Sequence, residues 1–186
     1  MNSTISGFVL TGGKSTRFGS SKVIHRINDV PMGIGVLNNL QSAIAAPPSF
    51  VGSFIDHPDF ANHLLVSGDR EGQGPLGAIC DVLEQAATDY VVFSPCDTPY
   101  FTAVDFKNLI ENRHDYDVVV AADQHDPHHR HWLLSVWNVS TTRRHMIDSF
   151  ESGERAIHRA ISGLNVGEHH FSNQALTNVN TPLDTQ

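Results

Sequence analysis

The chain has 186 residues, 40% of them hydrophobic and 17% charged, which suits one soluble globular domain spanning 1–186 with a substantial core. Its net charge of −8 with histidine neutral argues against a general nucleic-acid binder, although an acidic chain still holds a polyanion where its few cations converge. No apolar run approaches the ~20 residues of a membrane-spanning helix, and no basic segment leads into an apolar one at the N-terminus, so a cytoplasmic protein away from membranes is expected.

Residues 5–10 read as a short apolar strand, followed by a small, glycine-rich and basic loop over 11–22. Residues 23–31 read as a crossing segment with a turn at Asn28-Asp29. Ile34, Leu37, Leu40 and Gln41 predict a helix over 32–45, which Pro47-Pro48 ends. A second strand is expected over 49–55 and a short one over 64–66, leading into a polar loop over 67–74. Pro75 opens the next helix, where a proline costs no hydrogen bond, and Leu76, Ile79, Cys80 and Leu83 form one apolar stripe. The unbroken β-prone run 90–93 predicts a central parallel strand buried on both faces. Thr102 is placed to cap a helix running to 112, and 117–121 reads as a strand. The histidine-rich segment 123–130 reads as an exposed loop, and 132–137 returns to the sheet. Helices over 141–150 and 155–164 and a strand over 165–171 complete a layered α/β pattern with right-handed crossovers.

The chemistry concentrates in Leu10-Thr11-Gly12-Gly13-Lys14-Ser15-Thr16-Arg17-Phe18-Gly19-Ser20-Ser21-Lys22. Glycines bring backbone N–H groups close to a ligand, and successive N–H groups make an anion-binding concavity. Arg17 adds a planar cationic fork and Lys22 a mobile point charge, so a strand feeding this loop predicts a triphosphate cradle. The spacing is neither that of a Walker loop nor that of a Gly-x-Gly-x-x-Gly dinucleotide fingerprint. Asp97 directly follows a predicted strand, where an open α/β sheet places its ligands. It reads either as a ligand for a divalent ion, which prefers oxygen donors, or as a turn-former between two prolines.

The loop resembles the signature of the molybdenum cofactor guanylyltransferases and related MobA-like nucleotidyltransferases, Leu-Ala-Gly-Gly-x-Ser-x-Arg-Met-Gly followed closely by Lys. Thr11 stands for the alanine and Phe18 for the methionine. Gly74-Pro75-Leu76-Gly77, Pro95-Cys96-Asp97-Thr98-Pro99 and Asn178-Val179-Asn180-Thr181-Pro182 match three further motifs in the family's order. The resemblance implies a three-layer Rossmann-like nucleotidyltransferase fold with a mostly parallel central sheet. It implies Mg²⁺-dependent transfer of GMP from GTP to the phosphate of a molybdopterin-type cofactor, with release of pyrophosphate. Molybdoenzymes or cofactor-delivery proteins would be its partners. Carried over by position, Leu10, Thr11, Gly12, Gly13, Lys22, Asp69 and Asp97 are expected at the nucleotide, and Asp97 at the metal. Arg17, Lys22 and Asp97 are expected to carry catalysis, with Asn180 at the metal or the second substrate. Asp69 also reads as one of several loop acids, and Asn180 as a turn residue before Pro182.

Residues 52–56 lack the asparagine with which the family usually helps to read guanine, so related cytidylyl or sugar-phosphate nucleotidyltransferases stay open. His125, His128, His129 and His131 raise a different class, a non-catalytic nucleotide- or metal-binding module, but they lack regular zinc-ligand spacing. His131-Trp132 stands near the family's His-Pro pair, and Arg155 reads as a phosphate ligand or as part of a plain helix start. Trp132 and Trp137, in an apolar strand, are expected in the core rather than against a pterin. Cys80 and Cys96 form no CxxC pair, so neither a redox motif nor a disulfide is expected.

Overall fold

The computed structural model describes residues 3–11, 22–52, 55–126 and 128–180. β1 (Ile5–Leu10) is followed, beyond the glycine-rich loop, by a 3-10 turn at Lys22–Ile24 and a small hairpin, β2 (Arg26–Ile27) and β3 (Val30–Pro31). Asn28 and Asp29 make the hairpin turn with φ of 49° and 64°, the left-handed pair that a two-residue hairpin loop requires. α1 (Met32–Gln41) stops short of residue 45. Beyond it the chain drops toward the sheet, and Ile44 and Leu40 pack over Gly7. A Cβ at Gly7 would stand 2.7 Å from Ile44 Cδ1 and 2.8 Å from Leu40 Cδ2.

β4 (Ser49–Val51) is shorter than the expected 49–55, because Gly52 adopts φ 117° and turns the chain out of the sheet. β5 (Leu65–Val66) and α2 (Pro75–Gln85) follow as expected, with Leu76, Ile79, Cys80 and Leu83 fully buried. β6 (Tyr90–Pro95) runs two residues past the expected 90–93 and is not purely parallel. α3 (Ala103–Glu111) opens with a reciprocal cap, in which Asp105 N donates to Thr102 Oγ1 and Thr102 N donates to Asp105 Oδ2. Thr102→Ala should therefore cost about 1 kcal/mol, read as a fall of roughly 2–4 °C in Tm with nucleotide binding unchanged.

β7 (Val118–Asp123) runs two residues past the expected end, and β8 (Arg130–Asn138) begins before 132, so the histidine-rich loop shrinks to 124–129. Asp123, expected in the exposed loop, is buried in β7 and accepts a bond from His125 N at 2.7 Å. α4 (Val139–Glu151) exceeds its expected range, while α5 (Ile157–Ala160) fills only part of 155–164. Gly163, at φ 94°, turns the chain into β9 (Val166–Phe171) before another helical turn can form.

The seven strands order as β5-β4-β1-β6-β8-β7-β9, and every ladder is parallel except the two made by β8. β6 is thus parallel to β1 on one side and antiparallel to β8 on the other. Side chains alternate across the strands and feed two cores. Val9, Val92 and Phe50 meet α1 and α3 on one face; Val91, Phe93 and Val51 meet α2 and α4 on the other. The result is the expected three-layer α/β arrangement. Among the described residues no helix is long and apolar enough to cross a membrane.

Candidate functional site

From β1 the chain moves to β4 and β5 on one side, and β6 then inserts on the other side of β1. That reversal is a topological switch point, where the loops after two neighbouring strands diverge and leave a crevice. The register places Leu10 beside Pro95, and Cys96 N donates to the Leu10 carbonyl at 3.1 Å. Thr11 is tied to the neighbouring strand, its N–H and hydroxyl both donating to the Val51 carbonyl, at 2.9 and 3.1 Å. Thr11 and Cys96 therefore leave the sheet side by side.

Lys22 returns to this crevice through the 3-10 turn, anchored by buried Val23, which packs so closely on α1 that a Cβ at Gly33 would stand 2.3 Å from Val23 Cγ2. Its ammonium donates to Asp97 Oδ2 at 3.1 Å and to Asn180 Oδ1 at 2.7 Å, joining residues 75 and 158 positions away. Two further bonds hold the arrangement: the Thr98 hydroxyl donates to the Pro95 carbonyl at 3.2 Å, and Val179 N donates to the Asp97 carbonyl at 2.9 Å. The Lys22 and Asp97 side chains are each 21% exposed, enough solvent to keep their contribution to stability below about 1 kcal/mol. Their value lies in two oxygens converging on one positive charge.

A cavity of about 960 Å³ opens over these residues. Toward β4 and β5 it is walled by Thr11, Gly52, Ser67 and Pro75, and toward β8 by His129, Trp132, Arg155 and His158. Lys22 and Asp97 line it where β1 and β6 end. A volume near the upper end of the ligand-pocket range leaves room for more than one small substrate.

A family model described as the MobA-like NTP transferase domain matches residues 7–166. The chain belongs to this family. It is 36% identical over 115 residues to a probable molybdenum cofactor guanylyltransferase of Carboxydothermus hydrogenoformans, a match covering 61% of this chain and 57% of that protein. A molybdenum cofactor guanylyltransferase of Haemophilus influenzae is 28% identical over 174 residues, covering 84% of this chain and 82% of its own length. The fold is also that of the crystallised molybdopterin-guanine dinucleotide biosynthesis protein A of Archaeoglobus fulgidus. That likeness has a TM-score of 0.75 at 18% identity, over 97% of this chain and 94% of that one.

The MobA-like motifs do not all fall alike. Leu10, Thr11, Lys22 and Asp97 line the cavity, and Asn180 reaches it through Lys22. Asp69 is exposed on the 67–74 loop; its neighbours Gly68 and Arg70 line the cavity and it does not. Gly12, Gly13 and Arg17 lie outside the described residues, as do Ser53, Phe54, Thr181 and Pro182.

Several wall residues of this MobA-like site have no signal in the motifs. The β7–β8 register jumps from Val120 opposite Ser135 to Ala121 opposite His131, so residues 132–134 leave the ladder. Trp137 Nε1 donates to Ser135 Oγ at 2.7 Å and Ser135 Oγ to the Trp132 carbonyl at 3.0 Å, pinning this bulge from inside the core. Trp137 is buried as expected, whereas Trp132 is re-aimed to the cavity wall, with the Arg130 guanidinium 5.4 Å from its ring centre. Arg155 lines the cavity too, but its Nη1 donates to the carbonyls of Phe150 and Glu154, both at 2.7 Å, with the guanidinium 3.8 Å over the Phe150 ring.

His129 and His131 stack with ring centres 4.7 Å apart. Burial holds the His131 imidazole below the ordinary histidine range and His129 adds to this, while Asp123 and Asp97 pull the other way. Among the described residues no group of three or more His, Cys, Asp or Glu is arranged to hold a metal. Burial, with Asp97 adding to it, pushes the Cys96 thiol up to about 12, which leaves it protonated and unreactive beside the site.

Proposed function

We propose that this chain transfers GMP from GTP to the terminal phosphate of a molybdopterin-type cofactor. The observation that carries the reading is the convergence of Lys22, Asp97 and Asn180, from three separate motifs, on one point of the switch-point cavity. Family membership supports the nucleotidyltransferase class, and the names of the curated relatives favour a molybdenum-cofactor acceptor.

In this reading the triphosphate lies on the loop after β1, with the base toward Gly52 and the 67–74 loop. The acceptor enters from the side of Trp132 and His158. One oxygen of the acceptor's phosphate forms a bond to the α-phosphorus of GTP as the bond from that phosphorus to the β-phosphate oxygen breaks, releasing pyrophosphate. No covalent enzyme intermediate is required. Lys22 and Arg17 offset the charge that builds on the phosphates, and the loops around the cavity supply alignment, the two effects that dominate such transfers.

The donor set suits Mg²⁺. Asp97 Oδ2 and Asn180 Oδ1 are both oxygens and already share one cation, the Lys22 ammonium. Asp97 would hold the ion, with Asn180 beside it or on the acceptor phosphate. When bound, the ion would neutralise charge on the α-phosphate and the pyrophosphate.

Calorimetric titration with GTP, CTP, ATP and UTP, each with and without Mg²⁺, tests this first. The expected result is Mg²⁺-dependent binding of GTP in preference to the others, followed by formation of a guanylyl dinucleotide product with molybdopterin. A preference for CTP would keep the mechanism and change the product to a cytidylyl conjugate, in keeping with the missing asparagine at 52–56. Failure to bind any of the four would overturn the reading.

A further inference from the structure

Asp81 lies in the middle of α2, away from every motif, and is 3% exposed. A carboxylate buried this deeply is costly unless its charge is met and its oxygens are bonded. Both conditions are satisfied by one residue. Arg70 Nη1 donates to Asp81 Oδ1 at 2.9 Å, and the Arg70 backbone N–H donates to Asp81 Oδ2 at 3.2 Å. The Arg70 side chain is itself only 12% exposed; it also donates to Glu84 at 2.7 Å and lies 5.6 Å over the Phe150 ring.

The loop backbone rests directly on this pair. A Cβ at Gly68 would fall 2.2 Å from Asp81 Cγ, and one at Gly77 would fall 2.9 Å from the Arg70 carbonyl. Gly72 and Gly74, at φ of 77° and 89°, shape the rest of the loop as it turns into α2. Gly68, Arg70, Glu71 and Gly72 all line the cavity. Asp69, the acid that the resemblance assigns to the nucleotide, lies between Gly68, whose backbone packs on Asp81, and Arg70, which Asp81 bonds.

We propose that Asp81 is a positioning residue for nucleotide binding, fixing the 67–74 loop against α2 through the Arg70 side chain and backbone so that the loop meets the nucleotide preformed. Asp81 is part of the cavity wall, but at 3% exposure and with both oxygens bonded to Arg70 it presents little to a ligand, so the effect is assigned to the loop it holds. The inference rests on the nucleotide-site reading above. Preformed loops bind more tightly because less ordering is left to the binding step.

The test compares Asp81→Asn, a near-isosteric change that removes the charge, with wild type. GTP affinity with Mg²⁺ should weaken roughly tenfold, the size of one lost charge-assisted hydrogen bond. Turnover at saturating GTP with molybdopterin should stay within about twofold of wild type, since groups that act only on the transition state are untouched. Amide exchange across 68–73 should speed up in the nucleotide-free protein. Arg70→Lys keeps the charge but loses the planar fork, and should weaken GTP binding severalfold; it serves if Asp81→Asn fails to fold. Glu84→Gln, at a carboxylate 54% exposed on the outer side of the same guanidinium, should weaken affinity clearly less than Asp81→Asn does.

Unchanged affinity in both Asp81→Asn and Arg70→Lys, a loss carried by kcat, or an equal loss in Glu84→Gln would each overturn the inference while the guanylyl reading stood. A wild-type chain that bound no nucleoside triphosphate would end both.

Discussion

Lys22→Ala should lower kcat for nucleotidyl transfer by roughly 10²–10³-fold, the usual size of losing one preorganised group that meets developing charge. The ammonium sits where Lys22, Asp97 and Asn180 meet, bonded at 3.1 Å to Asp97 and 2.7 Å to Asn180. Its partners are held by backbone bonds that do not involve it, such as Val179 N to the Asp97 carbonyl, so the architecture should survive. The pair is also partly solvated, and its loss should move Tm by no more than about 2–4 °C. Steady-state rates with GTP and molybdopterin, alongside a thermal melt, decide the point. A folded Lys22→Ala protein with a near-normal rate would remove Lys22 from the mechanism.

Asp97→Asn should cost at least as much, roughly 10²–10³-fold or more in kcat, with the residual activity needing higher Mg²⁺. Asparagine keeps the shape of the turn and the backbone acceptor for Val179, so the change removes charge and little else. Without that carboxylate, the proposed ion site keeps only the neutral Asn180 oxygen, a weak donor for a cation that binds through one or two carboxylates and the substrate's phosphates. A Mg²⁺ titration of the rate separates this from Lys22→Ala, whose metal dependence should stay close to wild type. Because the two residues share one bond, the double variant should lose less than the product of the single losses. An Asp97→Asn protein with wild-type rate and wild-type Mg²⁺ dependence would exclude Asp97 as the metal ligand.

Much of the fold is written locally. The stripe Leu76, Ile79, Cys80 and Leu83, the run 90–93, the Thr102 cap and the Asn28-Asp29 turn all depend on periodicity or short-range bonding, and all appear in the structure. The misplaced boundaries share another cause. α1 ends early because Ile44 must reach the sheet over Gly7, and α5 is cut short by the turn at Gly163. Asp123 is buried because β7 continues alongside β9 to Phe171, a pairing that no local pattern encodes.

The site divides in the same way. Glycine spacing, the cations of the first loop and the Asp97 motif point, from the sequence by itself, to the family, and they name Leu10, Thr11, Lys22 and Asp97, which the structure places along one cavity. Each of these is a short-range signal: glycines let backbone N–H groups approach a ligand, and an acid directly after a strand falls where an open α/β sheet places its ligands. Only the tertiary structure decides that Lys22, Asp97 and Asn180 share one point, that a bulge turns Trp132 into the cavity while Trp137 stays in the core, and that buried Asp81 holds the 67–74 loop through Arg70. Those outcomes depend on which strands become neighbours and where a register slips. They are settled by packing between segments up to 158 positions apart, where no periodicity in the chain reaches.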